Sequence, residues 1–224
     1  MTGELPPTRW ELAPPEQRTY AQRFARLIAE GADIDGEARL ADALLPRRAR
    51  VLDAGSGMGR VAACLVARGH EVTGVEKDPD LVRESRARYP RVPVLQADLL
   101  ELSPTLLRDA GRPSSYDLVL LAGNVMVLLA AETERRVLGA LASLLSPDGR
   151  VLAGFSLAGG PEFARTYPYD DFVADAAAAG LVVQHRFGGW DLAPAADDYA
   201  VVVLSRAASG TPPSGRPAGT PSPR

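Results

Sequence analysis

Between Val51 and Gly59 the chain reads Val-Leu-Asp-Ala-Gly-Ser-Gly-Met-Gly, an apolar pair, an acid and then glycines at alternate positions. Glycines strip a turn of side chains, so a ligand can lie against bare backbone N–H groups, and at a helix N-terminus such groups attract an anion or carboxylate. A dinucleotide fingerprint needs a further glycine three positions after Gly57, where this chain has Arg60, which speaks against a nicotinamide cofactor. Asp53, just before the glycines, would repel a pyrophosphate but suits an amino group. Glu76 closes the next apolar segment, where a carboxylate can accept from both hydroxyls of a ribose, and Asp98 ends the one after. In succession these carboxylates could grip an amino group, a ribose and an exocyclic amine. A glycine triplet alone can be a structural turn, and either later acid alone can be a helix cap.

Such residues act together only if strands deliver them to one edge, and the patterning predicts that arrangement. Val51-Leu52 leads into the glycines and a helix runs on through Val61, Leu65 and Val66 to Gly69, the first strand–turn–helix unit. A strand over Glu71–Val75, a helix opened by Asp78-Pro79 and a strand over Val92–Ala97 follow, with Asp78 as N-cap and Pro79 at the first helical position. Tyr116–Ala122 is a nearly continuous apolar run, as in a central parallel strand. A helix over about Glu132–Leu145, a turn at Ser146-Pro147-Asp148-Gly149 and a strand over Arg150–Ser156 come next. Asp170–Ala179 reads as a helix, then Leu181–Phe187 and Tyr199–Ser205 as an antiparallel pair. Ahead of this core, Tyr20, Phe24, Leu27 and Ile28 share a helical face that Gly31 stops, and a second short helix runs from about Asp35 to Leu45.

The expected organisation is a single α/β domain over 1–206, with a helical cap over about 1–45 and a Rossmann-like core over 49–206. A Pro/Gly/Ser-rich tail over 207–224 is too poor in apolar residues to offset ordering entropy. The net charge of −3 offers no basic excess to neutralise a phosphate backbone, so no nucleic-acid partner is expected. Cys64 is the single cysteine, which excludes an internal disulfide and a cysteine-based metal site; no metal is expected. Met1 to Glu11 lacks the basic patch and apolar run of a signal peptide, and no stretch is long and apolar enough to cross a membrane. A cytoplasmic protein is the expectation.

The segment from Ala49 to Arg206, most densely Val51 to Gly59, resembles the class I S-adenosylmethionine-dependent methyltransferases of small-molecule type. The resemblance implies a doubly wound seven-stranded sheet of order 3-2-1-4-5-7-6 with strand 7 antiparallel, and S-adenosylmethionine as cofactor. By the same resemblance Asp53, Gly55 and Gly57 would approach the methionine part, Glu76 the ribose, and Asp98 with the backbone of Leu99 the adenine. Ala54, Ser56, Gly59 and Lys77 would complete those contacts, and Ala122, Gly123 and Asn124 would pass beside the cofactor towards the acceptor. Tyr20 and Arg23 are candidates for the methionine carboxylate or for a lid.

Methyl transfer from a sulfonium is an in-line displacement that needs alignment and dryness more than a catalytic side chain. The Asn/Asp-Pro-Pro-aromatic signature of base amino methylation is absent after the fourth strand, so a small-molecule acceptor is expected. Asn124 either orients that acceptor or caps its own turn. Among the peripheral aromatics Trp10, Tyr20, Phe24, Phe163, Tyr167, Tyr169 and Trp190, Tyr167 and Trp190 are the candidates for acceptor contact, against a satellite core as the plainer role. A nicotinamide-dependent oxidoreductase and a non-catalytic cofactor-binding protein are the competing functions.

Overall fold

The computed structural model describes residues 5–207; the expected tail lies, but for Ala207, outside the described residues. The elements are helices α1 (Arg9–Leu12), α2 (Tyr20–Ala29) and α3 (Gly36–Ala43), strand β1 (Arg50–Ala54), α4 (Arg60–Ala67), β2 (Glu71–Glu76), α5 (Pro79–Arg88), β3 (Val94–Gln96), α6 (Pro104–Asp109), β4 (Tyr116–Leu121), α7 (Val125–Leu128), α8 (Glu134–Ser143), β5 (Leu145–Ser156), α9 (Tyr169–Ala178), β6 (Leu181–Phe187) and β7 (Tyr199–Arg206). The strands form one sheet in the order β3-β2-β1-β4-β5-β7-β6. Neighbours from β3 to β5 pair in parallel, and β7 runs antiparallel to both β5 and β6.

The strand and helix starts follow from local chemistry. Leu118 and Leu120 of β4 enter one core layer with Val61 and Leu65 of α4, while Val119 and Leu121 enter the other with Val137 and Leu141 of α8. A strand covered on both faces has no solvent side, which is why its sequence is a run and not an alternation. Asp78 caps α5 through its Oδ1, which accepts from the N–H groups of Asp80 (2.8 Å) and Leu81 (3.4 Å), with Pro79 at the first position. α2 ends at Ala29, with Gly31 in the left-handed region at φ 70°.

Four expectations are corrected in detail. The two expected N-terminal helices form as α2 and α3, but a separate 3-10 turn at Pro15–Gln17 precedes them. α1 lies ahead of them and was not anticipated; a Thr8/Glu11 capping box starts it. α6 fills a stretch the pattern left blank, opened by Ser103, whose Oγ accepts from the Leu106 N–H at 3.1 Å. The Ser146–Gly149 turn is absorbed into β5 as a bulge, where pairing jumps from Tyr116↔Leu145 to Leu118↔Arg150. Asp117 holds this bulge, its carboxylate accepting from Ser146 Oγ (3.1 Å) and from the Arg50 N–H (2.8 Å).

The order of the strands places the site. The chain passes from β1 outwards to β2 and β3, then returns to β4 on the other side of β1. Connections leaving two adjacent parallel strands in opposite directions open a crevice at their C-terminal ends.

Candidate active site

The bend after β1 is built from glycines in the left-handed region, Gly55 at φ 76°, Gly57 at 56° and Gly59 at 84°. Close approach demands them as well. A Cβ on Gly55 would lie 2.7 Å from Val125 Cγ2, and one on Gly57 would lie 2.9 Å from the Tyr20 ring. The bend's N–H groups are not bare, contrary to the sequence expectation. Those of Gly55 and Ser56 both donate to the Val75 carbonyl at 2.9 Å, and that of Gly59 donates to the Ser56 carbonyl at 2.9 Å. The Gly57 N–H donates to Glu76 Oε2 at 2.8 Å. Backbone donors in a buried turn must find partners, and here the neighbouring strand supplies them.

Glu76 therefore points at the bend and ties β2 to it. Its Oε1 also accepts from the Asp78 N–H at 2.9 Å. Burial raises its pKa, opposed by these two donors. Each carboxylate oxygen retains acceptor capacity beyond the bond it makes.

Asp98 stands at the next strand end, 6 % exposed. Its Oδ1 caps the following 3-10 turn by accepting from the Leu100 N–H at 2.8 Å, and its Oδ2 lies 2.9 Å from Lys77 Nζ. One carboxylate thus caps the turn with one oxygen and meets Lys77 with the other.

Between these tips lies a cleft of about 790 Å³, open to solvent. Gly55, Gly57, Glu76, Lys77, Asp98, Leu99, Ala122 and Gly123 line it, and so does Tyr20. Sequence reasoning missed further walls: Thr8, Trp10 and Glu11 from α1 and its cap, Asp78 and Leu81 at α5, and Val125, Leu128 and Leu129 around α7. The Thr-x-x-Glu box at Thr8 was the available signal for the first group.

Asp53 lies behind the bend, 2 % exposed, with Oδ2 lacking a hydrogen-bond partner. Burial pushes its pKa up to about 7 despite the pull of the Arg60 cation, and the Glu37 and Glu76 charges push the same way. Arg60 itself forms a buried ion pair with Glu37 and sits 4.1 Å over the Phe24 ring. Asp53, Ala54, Ser56 and Gly59 belong to the packed interior of the bend and, contrary to expectation, do not line the cleft.

The remaining candidates are placed elsewhere. Asn124, at φ 72°, turns its Oδ1 to the N–H of Ser156 (2.8 Å) and thereby pins the turn after β4 to β5. Arg23 is exposed on α2. Tyr167 is fully buried against Phe155 and Phe172, its hydroxyl donating to Asp175 Oδ2 at 2.8 Å. Trp190 donates to the Tyr199 hydroxyl at 3.2 Å and packs flush on Gly154, where an added Cβ would collide with the indole. Neither aromatic lines the cleft. Cys64, half-buried on α4, has its thiol pKa raised first by burial and then by Asp35, as suits a packing residue.

Comparison with known proteins agrees with this geometry. A family described as "Methyltransferase domain" matches residues 51–149. A TehB-like SAM-dependent methyltransferase from Corynebacterium glutamicum is 34% identical over 87% of this chain and 100% of its own, with a TM-score of 0.75. The chain belongs to the S-adenosylmethionine-dependent methyltransferases, whose methyl donor is S-adenosylmethionine. A Burkholderia thailandensis 1,6-didemethyltoxoflavin-N1-methyltransferase, 22% identical over 87% of this chain and 91% of its own with a TM-score of 0.57, shares the fold.

Among curated relatives, the ribosomal RNA small subunit methyltransferase A of Chlorobium chlorochromatii is 34% identical over 29% of this chain and 24% of its own length. That of Anaeromyxobacter sp. strain K is 38% identical over 38% of this chain and 29% of its own. The chain thus spans less than a third of either relative. The family match favours methyl transfer over the nicotinamide-dependent alternative. Among the described residues no helix is long and apolar enough to cross a membrane.

Proposed function

We propose that this protein transfers a methyl group from S-adenosylmethionine to a small-molecule acceptor taken into the cleft between the bend at Gly55–Gly59 and the turn at Ala122–Asn124. One observation carries the cofactor assignment. The Glu76 carboxylate is bonded to Gly57 of the bend while facing the same cleft as Asp98, so ribose and adenine acceptors stand beside the turn in the order the cofactor needs. The orphaned Asp53 Oδ2, buried at the root of the bend, fits a cationic amino group. The glycine positions fit too, since side chains there would meet Val125 and Tyr20.

Bound there, the cofactor supplies a methyl group on a sulfonium, an activated leaving group that needs no metal. This chain's residues bind, orient and exclude water. Glu76 and Asp98 would hold the adenosine, Lys77 would hold Asp98 in place through their ion pair, and Tyr20 against Gly57 and Gly123 would wall the methionine end. Alignment and desolvation of this kind can be worth several kcal/mol in the barrier.

The size of the acceptor is argued from α1. Thr8, Trp10 and Glu11 narrow the cleft, and its charged lining is mostly acidic, Glu11, Glu76, Asp78 and Asp98 against Lys77, a poor surface for a polyanion. An RNA acceptor is the second reading, favoured by the ribosomal RNA methyltransferases among the relatives. Incubation with methyl-labelled cofactor against a metabolite pool and, in parallel, against deproteinised ribosomal RNA tests the choice. Label in the small-molecule fraction is expected. Label in the RNA alone would reject the small-molecule acceptor.

A further inference from the structure

We infer that α1 is a strap latched through the cofactor site itself, with Glu11 and Lys77 acting as positioning residues that hold Asp98 and close the cleft over the cofactor. The inference rests on the reading of Asp98 as an adenosine ligand. The strap is too short to be stable alone, since a helix of four residues lies far below the length at which isolated helices persist. Its place is set by anchors on both banks.

On the bank of α7 and α8, Arg9 Nη1 donates to the Leu129 carbonyl at 2.6 Å and lies 3.6 Å from the buried Glu134 carboxylate. On the bank of β2 and α5, Trp10 Nε1 donates to Asp78 Oδ2 at 2.7 Å. Such anchors fix the strap without touching a group assigned to the cofactor. The third anchor differs. Lys77 Nζ lies 2.6 Å from Glu11 Oε2 and 2.9 Å from Asp98 Oδ2, so one ammonium joins the strap to a carboxylate in the cleft wall.

The sharing is chemically sound. An ammonium carries three donors, and an ionised carboxylate accepts at about four positions. Asp98 accepts one hydrogen bond, from Leu100 at Oδ1, while its Oδ2 lies in ion-pair contact with Lys77 without a hydrogen bond, and so keeps capacity for a ligand's N–H. Burial opposes charge on both Glu11 and Lys77, yet the Glu11 pKa is lowered by Lys77 together with Thr8 and that of Lys77 is raised by Glu11 together with Asp98. Removing the strap's carboxylate leaves Lys77 tied to Asp98 alone, and removing Lys77 takes away the strap's third anchor and leaves the Asp98 charge without its counterion. Cofactor held by Asp98 and a closed strap therefore favour one another, which is thermodynamic coupling between two contacts of one lysine.

The test is stopped-flow dissociation of S-adenosylhomocysteine from the full chain and from Glu11→Gln, Lys77→Met, the double variant and Asp98→Asn, with thermal unfolding of each in parallel. Glu11→Gln and Lys77→Met are each expected to speed dissociation about three- to fivefold, in line with a partly exposed ion pair. The double variant should be no faster than the faster single one, because both remove the same link. Raising the salt concentration should speed dissociation from the unmodified protein and leave Glu11→Gln nearly unchanged. A purely structural strap would give additive effects that follow the loss of melting temperature. If Asp98→Asn loses affinity while both latch variants dissociate at the original rate, the latch is rejected and the adenosine reading stands. If Asp98→Asn binds normally, that reading falls and takes the latch with it.

Discussion

The backbone N–H of Gly57 and the carboxylate of Glu76 meet at 2.8 Å, nineteen residues apart in the chain. This bond fastens the bend after β1 to the tip of β2 and so fixes the wall on which an adenosine would rest. Glu76 is at once a structural tie for the bend and the proposed ribose ligand.

Replacement of Glu76 by Gln keeps the shape but removes the charge that strengthens bonds to hydroxyl and N–H donors. Hydrogen bonds to a charged group contribute about 1.5–3 kcal/mol each, so calorimetry should show S-adenosylhomocysteine binding weakened at least about tenfold. Affinity within twofold of the original would remove Glu76 from the ribose.

Gly57→Ala should destabilise the protein and weaken cofactor binding together. A left-handed φ of 56° costs an L-residue about 1–2 kcal/mol, and the methyl would press on the Tyr20 ring. For a chain of this size a drop of about 2–8 °C in melting temperature is expected. An unchanged melting curve would show that the bend tolerates a side chain.

Asp53 makes a pH-dependent contribution whose sign follows from its raised pKa. Folded, it titrates near 7; unfolded, it titrates at the ordinary value of about 4. Between those values the folded state holds the proton and the unfolded state does not, so stability falls as pH rises from about 4 to 7 and levels off above. Asp53→Asn should therefore gain stability relative to the original protein at pH 8 and lose that advantage by pH 4, read by urea titration at each pH. A cation seated on Oδ2 would favour the ionised form, so S-adenosylhomocysteine affinity should rise between pH 6 and 8 in the original protein and stay flat in Asp53→Asn.

Tyr167→Phe removes a buried hydroxyl and its bond to Asp175. The expected loss is about 1 kcal/mol, or about 2–4 °C, with S-adenosylhomocysteine affinity unaltered. A fall in methylation rate with no thermal shift would instead return Tyr167 to the acceptor site.

How much of this was legible depended on the range of each interaction. The cleft wall was readable in part because strand ends and their acids are set by neighbours in sequence: Glu76 and Asp98 each close an apolar segment and line the cleft, and the glycines announce the bend. What the glycines' N–H groups do was not readable. The partners of Gly55 and Gly57 are Val75 and Glu76, about twenty residues away. Tyr167 and Trp190 looked like pocket aromatics because a side chain's type says nothing of which cavity it fills. Their places follow from how Phe155, Phe172 and Gly154 curve around them.

By itself the amino-acid sequence determined the alternation of strands and helices, the caps at Asp78 and Gly31, and the acids at the strand tips, since these rest on periodicity and on interactions within a few residues. Only the tertiary structure decided that α1 bridges the cleft, that Lys77 joins Glu11 to Asp98, and that Asn124 faces Ser156 and not the cleft. Those contacts join groups from 21 to 125 residues apart, and no local pattern encodes a partner that exists only once the sheet has brought the two chain segments together.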